Sequence, residues 1–414
     1  MAAEADAPAL HLPPPPWLAD PALTAVLRAL PGARLVGGCV RDALAGRPVA
    51  DIDLATPEPP EEVMRRLQDA GLRAVPTGLA HGTVTAVSDR RGFEVTTLRR
   101  DVETDGRHAT VAWTGDWCED AARRDFTFNA MSMTPDGAVY DYFGGADDLR
   151  AGRVRFVGDP AARIAEDYLR ALRFFRFHAR YGHGAPDPAA LDAVRASVPG
   201  LSRLSAERVW SELKRILATP DPRGAVWLMA ELGVSAAVLP EGADPARLAA
   251  LVAAGAPADP LLRLAALLTG DPVALAERLR LSAAERDRLL ALRPADAAGA
   301  AEGASEAAPG AVPAPGWDDD AVRQALAETP ADVLAGRTWL AGGWGPEWDA
   351  LRARLAALPR PRFPLEGRDV VALGVPPGPR VGELLRAVRA WWRAGGCTAS
   401  AAACRAELAR LAAG

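Results

Sequence analysis

Apolar and polar positions alternate in GTVTAVSD (residues 82–89) and FEVTTLRRD (93–101), and both stretches are rich in β-branched residues. They predict two strands joined by a hairpin around Asp89–Gly92. ARLVGG reads as a strand entering a tight turn, DIDLAT as a second strand, and AVYDYFGG as a further short strand and turn. PEEVMRRLQDAG follows helical spacing behind a proline, and residues 21–30 form another short helix. The first ~145 residues therefore read as a mixed α/β unit. From about residue 160 the period becomes helical, through IAEDYLRALRFFRFHARYG, PAALDAVRASV, SAERVWSELKRIL and RGAVWLMAELGV. No strand-like run interrupts it until about residue 365, where the turn-rich LGVPPGP precedes the helical VGELLRAVRAWWRAGG. No repeat of fixed period is present.

Composition adds boundaries to this pattern. Residues 1–20, with a proline run, are expected to be disordered. Residues 295–316 are low-complexity Ala/Gly/Pro and read as a flexible linker or insertion. The 414 residues suffice for roughly two to four domains. No apolar run approaches the ~18 residues of a membrane span, and the N-terminus lacks the pattern of a signal peptide. The four cysteines form no CxxC pair, which points to reduced thiols in a cytoplasmic protein. A net charge of −5 argues against indiscriminate nucleic-acid binding, yet residues 163–180 hold five arginines against two acids. Lys214 is the only lysine, so no glycine-rich loop carries the lysine that a Walker-type ATPase needs.

Three constellations carry chemistry. In VGGCVRD, Gly37 and Gly38 let backbone approach a ligand, and the helix start behind them offers N–H groups to phosphates. Twelve residues separate Gly38 from Asp51, and Asp51 and Asp53 alternate around Ile52 and so project from one face of a strand. Adjacent carboxylates repel and call for cations, and their hard oxygens suit Mg²⁺. Two such ions would activate a hydroxyl and neutralise a leaving pyrophosphate. The alternative is a solvated edge strand with two acids.

The second constellation is RRDFTFNAM (residues 123–131), whose paired arginines offer forked donors to phosphate oxygens while Asn129 adds a neutral donor. A surface basic pair at a helix start is the alternative. The third is AEDYLRALRFFRF (residues 165–177). Asp167 and Arg170 lie three apart, neighbours on one helical face. A carboxylate beside a guanidinium matches the amino donor and ring-nitrogen acceptor shared by adenine and cytosine; guanine and uracil put a carbonyl where the carboxylate needs a donor. An ordinary i,i+3 salt bridge worth ~0.2–0.5 kcal/mol is the competing reading.

These strings, in this order over residues 34–217, resemble the class II CCA-adding tRNA nucleotidyltransferases and bacterial poly(A) polymerases, within the polymerase-β-like nucleotidyltransferase superfamily. The resemblance implies an α+β fold: a head with a mixed sheet (21–150), then an all-α neck (151–220), body (221–294) and tail (317–414), with body and tail binding tRNA. It implies two Mg²⁺ ions on Asp51 and Asp53, Glu94 as third carboxylate, and ATP and CTP as substrates. Nucleotide contacts fall to Gly37, Gly38, Arg41, Arg124, Asn129, Asp167, Arg170, Arg173 and Arg176, with Arg124 on the triphosphate. On an ideal helix Arg176 lies about 180° from Asp167, so it reaches the nucleotide only if the helix is distorted; otherwise it meets RNA or supports the neighbouring helix. Glu207 and Arg208 either brace the template helix or face water. The long charged stretch between Glu94 and Arg123 resembles the flexible loop of full CCA enzymes.

The expected activity is addition of C, C and A to tRNA 3′ ends; poly(A) addition, or A-only or CC-only addition, shares the same motifs. An antibiotic-modifying transferase needs neither RRDFTFNA nor the Asp167/Arg170 pair, and a non-catalytic RNA-binding protein need not keep both aspartates. No HxxHD string exists, so no phosphohydrolase domain is expected, and no obligatory protein partner is evident.

Overall fold

The computed structural model describes residues 7–105, 108–293 and 310–413, in two compact units divided between Val238 and Leu239. The first unit holds the strands. β1 (Leu10–His11) is followed by α1 (Pro21–Ala29), β2 (Arg34–Val36), α2 (Gly38–Leu44), β3 (Asp53–Thr56) and α3 (Pro60–Asp69). Then come β4 (Arg73–Gly78), β5 (Thr83–Ser88), β6 (Arg91–Thr97), β7 (Arg99–Asp105) and β8 (His108–Trp113). α4 (Trp117–Ala122), β9 (Ser132–Met133), β10 (Ala138–Tyr140) and α5 (Gly145–Arg150) close the α/β part. Eight strands form one mixed sheet in the order β1-β10-β9-β2-β3-β6-β5-β4, and only β3 and β6 pair in parallel.

Sequence pattern explains the sheet locally. β3 lies between β2 and β6, and Leu54, Ala55 and Thr56 are all buried, as suits a central strand. β5 and β6 alternate, burying Val84, Ala86, Phe93 and Val95 and turning Glu94 outward. Asp89 and Arg90 both have positive φ (47° and 62°), the backbone of a two-residue hairpin whose twist matches its strands. The expected hairpin is therefore present.

Other expectations are corrected. Residues 7–20 are structured: Leu10 and His11 pair with Val139 and Ala138, and Pro16–Ala19 form a 3-10 turn, because β10 would otherwise present an open edge. β4 carries Pro76; the strand tolerates proline because it is at the sheet edge and its register shifts between Val75 and Gly78. The stretch expected as a flexible loop contains the β7–β8 hairpin. No strand forms near residue 365 among the described residues; Gly367–Val371 is helical. Of residues 295–316, only 310–316 are described, and Ala311 and Ala314 pack on the cluster around Trp317.

The helical pattern after residue 160 is as expected. α6 (Pro160–Glu166), α7 (Leu169–Tyr181), α8 (Pro188–Ser197), α9 (Ala206–Leu217), α10 (Arg223–Glu231) and α11 (Val234–Val238) complete the first unit. α10 and α11 thus fall in the first unit. The second unit is helical throughout its described residues, from Pro245–Ala253 to Ala401–Ala413. No helix is long and apolar enough to cross a membrane among the described residues.

Candidate active site

Gly37 ends β2 with φ +67°, a conformation costly for any residue with a Cβ. A Cβ there would also lie 3.0 Å from the Arg124 guanidinium. The glycine pair therefore serves two needs: it turns the chain into α2, and it lets Arg124 lie against the turn. Arg124 is held from behind, donating to Asp120 at 3.2 Å and to the Asn129 carbonyl at 3.3 Å. Buried Asp120 also pairs with Arg123 at 2.8 Å.

The strand that was to carry both aspartates begins at Asp53; Asp51 lies just before it in extended chain. Parallel pairing sets Asp53 directly beside Glu94, and both are exposed, as is Asp51. Burial, then Glu94 and then Asp51, push the Asp53 carboxyl above its usual range, against the opposing pull of Arg124. Asp51 and Asp53 line a cleft of about 1070 Å³ and also a smaller one of about 510 Å³ that reaches Glu94. The carboxylates thus stand where two clefts meet.

Among the described residues, no three Asp, Glu, His or Cys side chains converge to enclose an ion alone. Two neighbouring carboxylates nevertheless fit Mg²⁺, which completes its shell with water and substrate phosphate. The raised Asp53 carboxyl is the mark of a donor set short of positive charge.

The larger cleft is lined by ten arginines and five aspartates. RRDFTFNAM forms its floor because its phenylalanines point inward: Phe126 and Phe128 are fully buried and pack on Phe177, while Asp125 and Asn129 line the cleft. Each such aromatic pair adds ~0.5–1.5 kcal/mol beyond area burial, which fixes α7 against the motif. Asp125, only 9 % exposed, accepts from Arg173 at 2.6 Å, Asn129 at 3.0 Å and the Phe126 N–H at 2.9 Å. Burial opposes its charge, but Arg173 and these donors prevail and hold its carboxyl below the usual range. The Asn129 side-chain oxygen accepts from Arg41 at 2.5 Å, and Arg41 also grips Asp42 with Nε and Nη2. Arg41 is buried, so its guanidinium orders Asn129 before any ligand arrives.

The template segment corrects the sequence geometry. Asp167 and Arg170 do not share one helix: Asp167 has φ −157° and ψ 106° and sits in the break between α6 and α7. Its side chain accepts the Leu169 N–H at 3.1 Å, and its carbonyl accepts the Arg170 N–H at 2.9 Å. An aspartate that caps the next helix in this way competes with helix continuation. Asp167 pairs with Arg208 at 2.7 Å, whereas Arg170 bonds Glu166, the Arg163 carbonyl at 3.0 Å and the Arg123 carbonyl at 3.3 Å. Because Asp167 is outside the helix, the 180° objection to Arg176 lapses, and Asp167, Arg170, Arg173 and Arg176 all line the cleft. Arg176 also braces α9, donating to Glu212 at 3.2 Å. Burial, with Arg173 and Arg215 nearby, pushes its guanidinium down to about 10 despite Glu212. Glu207 is exposed; α9 lines the cleft with Arg208 and Arg215, and its buried Glu212 holds Arg176.

Sequence reasoning missed Asp42, Asp120, Asp125 and Glu212. The signal was present for two of them: Asp42 and Asp125 each follow an arginine inside a quoted motif.

The central parallel strand pair, its carboxylates and the arginine cleft define a nucleotidyltransferase with a polymerase-β-like head. Residues 33–155 match the Poly A polymerase head domain, and residues 185–244 match the probable RNA and SrmB-binding site of polymerase A. The CCA-adding enzyme of Geobacillus thermodenitrificans is 34% identical over 379 residues, covering 87% of this chain and 88% of that protein. The mitochondrial CCA tRNA nucleotidyltransferase 1 of Danio rerio is 48% identical over 205 residues. That match covers 49% of this chain, which thereby spans about half the length of the zebrafish protein, 48%. The crystal structure of the Bacillus stearothermophilus CCA-adding enzyme in complex with CTP superposes with TM-score 0.73 at 27% identity, covering 95% of this chain and 98% of the other. The chain belongs to the CCA-adding enzyme family.

Proposed function

We propose that this protein adds C, C and A to the 3′ end of tRNA from CTP and ATP, with no nucleic-acid template. The observation that carries the proposal is one cleft that joins Asp51 and Asp53 to the arginines and to Asp167 and Arg170. The terminal hydroxyl of tRNA attacks the α-phosphate; the new P–O bond forms as the bond to pyrophosphate breaks, and the hydroxyl proton passes to solvent water. Asp51 and Asp53 would hold Mg²⁺, which supplies charge neutralisation at the phosphates and acidifies the attacking hydroxyl, with Glu94 as the third carboxylate. Arg124, set by Asp120 against Gly37, takes the triphosphate. Asp167 accepts the exocyclic amino group of adenine or cytosine, and Arg170 donates to the ring nitrogen once it leaves Glu166. Arg173 and Arg176, tied to Asp125 and Glu212, keep the template helix in place and add positive charge. Arg41 and Asn129 shape the floor.

In the second unit the helix Pro379–Ala394 carries exposed Trp391, an aromatic face on which an RNA base would stack. The four thiols are free, which fits the cytoplasm. The test supplies purified protein with tRNAs ending before CCA, after C and after CC, each with CTP or ATP alone. We expect CMP on the first two and a single AMP on the third. Addition of A alone whatever the end, or long A tails, overturns the proposal.

A further inference from the structure

Ten arginines line the large cleft, and eight of them pair with a carboxylate. The two exceptions, Arg47 and Arg180, are neighbours. Arg47 lies in the segment between α2 and β3, and Arg180 in the last turn of α7. Both are exposed, and among the described residues neither has an acidic partner. Arg47 Nη2 donates to the Arg180 carbonyl at 2.7 Å. Their guanidinium carbons lie 4.8 and 5.6 Å from the centroid of the Tyr181 ring. Tyr181 is buried and donates to Asp42, which Arg41 also holds, so the ring is fixed to the cleft floor. Apart from its contact with that ring, the Arg180 side chain makes no hydrogen bond among the described residues.

We infer that Arg47 and Arg180 form a phosphate clamp for the 3′-terminal strand of the acceptor RNA. This rests on the proposal that tRNA is the acceptor. Two forked donors stacked on one ring, with no acid between them, call for an anion, and phosphate oxygens fit the forks. The nucleotide does not need them: its base is assigned to Asp167 and Arg170, and its triphosphate to Arg124. Arg180 lies ten residues beyond Arg170 on α7, about 15 Å along the helix axis. The cleft, about 1070 Å³, is at the top of the range for a single small ligand, roughly 300–1,000 Å³. Its far end is therefore left for the second substrate. Arg47 precedes Asp51 by four residues, a reach of at most about 14 Å, so an anion on Arg47 lies near the carboxylates where the two substrates meet. The strand behind the reacting hydroxyl is a run of phosphodiesters, and it must pass close by.

The test measures binding of tRNA lacking CCA over a range of salt concentrations, with the KM for CTP in CMP addition, for the full chain, Arg180→Ala, Arg47→Ala and Arg47→Lys. We expect each alanine variant to weaken tRNA binding about three- to tenfold at low salt. Each should also make the fall of log affinity with log salt shallower by about one, the mark of one lost phosphate contact. The KM for CTP should stay within about twofold. Arg47→Lys should recover part of the affinity, since it keeps the charge but not the fork. Arg47 also caps the end of α7, so its alanine variant is checked by urea unfolding; Arg180→Ala removes no hydrogen bond and decides the matter if Arg47→Ala is unstable. If the unaltered protein adds CMP while Arg180→Ala binds tRNA within about twofold and with the same salt slope, the inference is overturned and tRNA as acceptor stands. If the KM for CTP rises while tRNA affinity holds, the pair serves the nucleotide's phosphates and the inference is likewise overturned. If the unaltered protein adds nothing to tRNA, the proposed function falls, and the inference with it.

Discussion

Asp51, Asp53 and Glu94 are exposed beside one another, and among the described residues no cationic side chain hydrogen-bonds to any of them. Most arginines of the same cleft are tied to an acid, among them Arg173 to Asp125, Arg176 to Glu212, Arg208 to Asp167, and Arg123 and Arg124 to Asp120. The difference teaches how each half meets its ligand. Uncompensated carboxylates cost the folded state some stability, and that cost is relieved when cations arrive. Paired arginines are already oriented, so an anionic ligand such as a triphosphate would meet fixed donors. The helix break at Asp167 belongs to the second pattern, since its carboxylate too is held before any base is bound.

The comparison can be broken at the buried acid Asp125. Asp125→Ala leaves Arg173 without its partner in a buried setting, which should cost about 3–5 kcal/mol in urea unfolding. A loss within about 0.5 kcal/mol would mean that the arginine half is not held by its acids. Acid sharpens the same point. The unfolded Asp125 carboxyl titrates near 3.8 and the folded one lower, so its pairing contributes fully above 3.8 and is lost as pH falls through the folded value. Asp125→Asn should flatten that part of the stability–pH profile. The carboxylate half predicts a smaller change of opposite sign. Asp53 is raised above 3.8, so its ionised form weakens the fold as pH climbs through the folded value. Near neutral pH and without divalent ions, Asp53→Asn should raise the thermal midpoint slightly, and a fall would contradict the reading of Asp53 as under-compensated.

Much of this was legible in the residues. The alternation of GTVTAVSD and FEVTTLRRD marked β5, β6 and the outward Glu94, because a half-buried antiparallel pair writes its two faces into the chain. The glycine pair and the aspartates, singled out by their spacing, line one cleft. Where an element ends was harder to read: Asp167 has helical neighbours on both sides, and only its local capping bond shows why it leaves the helix. Long-range partners were not legible either. Nothing near Arg176 in sequence announces Glu212, 36 positions away, and nothing in RLVGG announces Arg124 lying on the glycine. The N-terminal prolines hid a strand two residues long.

The central claim is that Asp53 carries the chemistry and not the grip on RNA. Incorporation of CMP onto tRNA lacking CCA, measured for Asp53→Ala beside the unaltered protein at saturating tRNA, tests it most directly. The account predicts a rate lower by at least about a thousandfold, with tRNA affinity unchanged within about twofold. A rate within tenfold of the unaltered protein would contradict it.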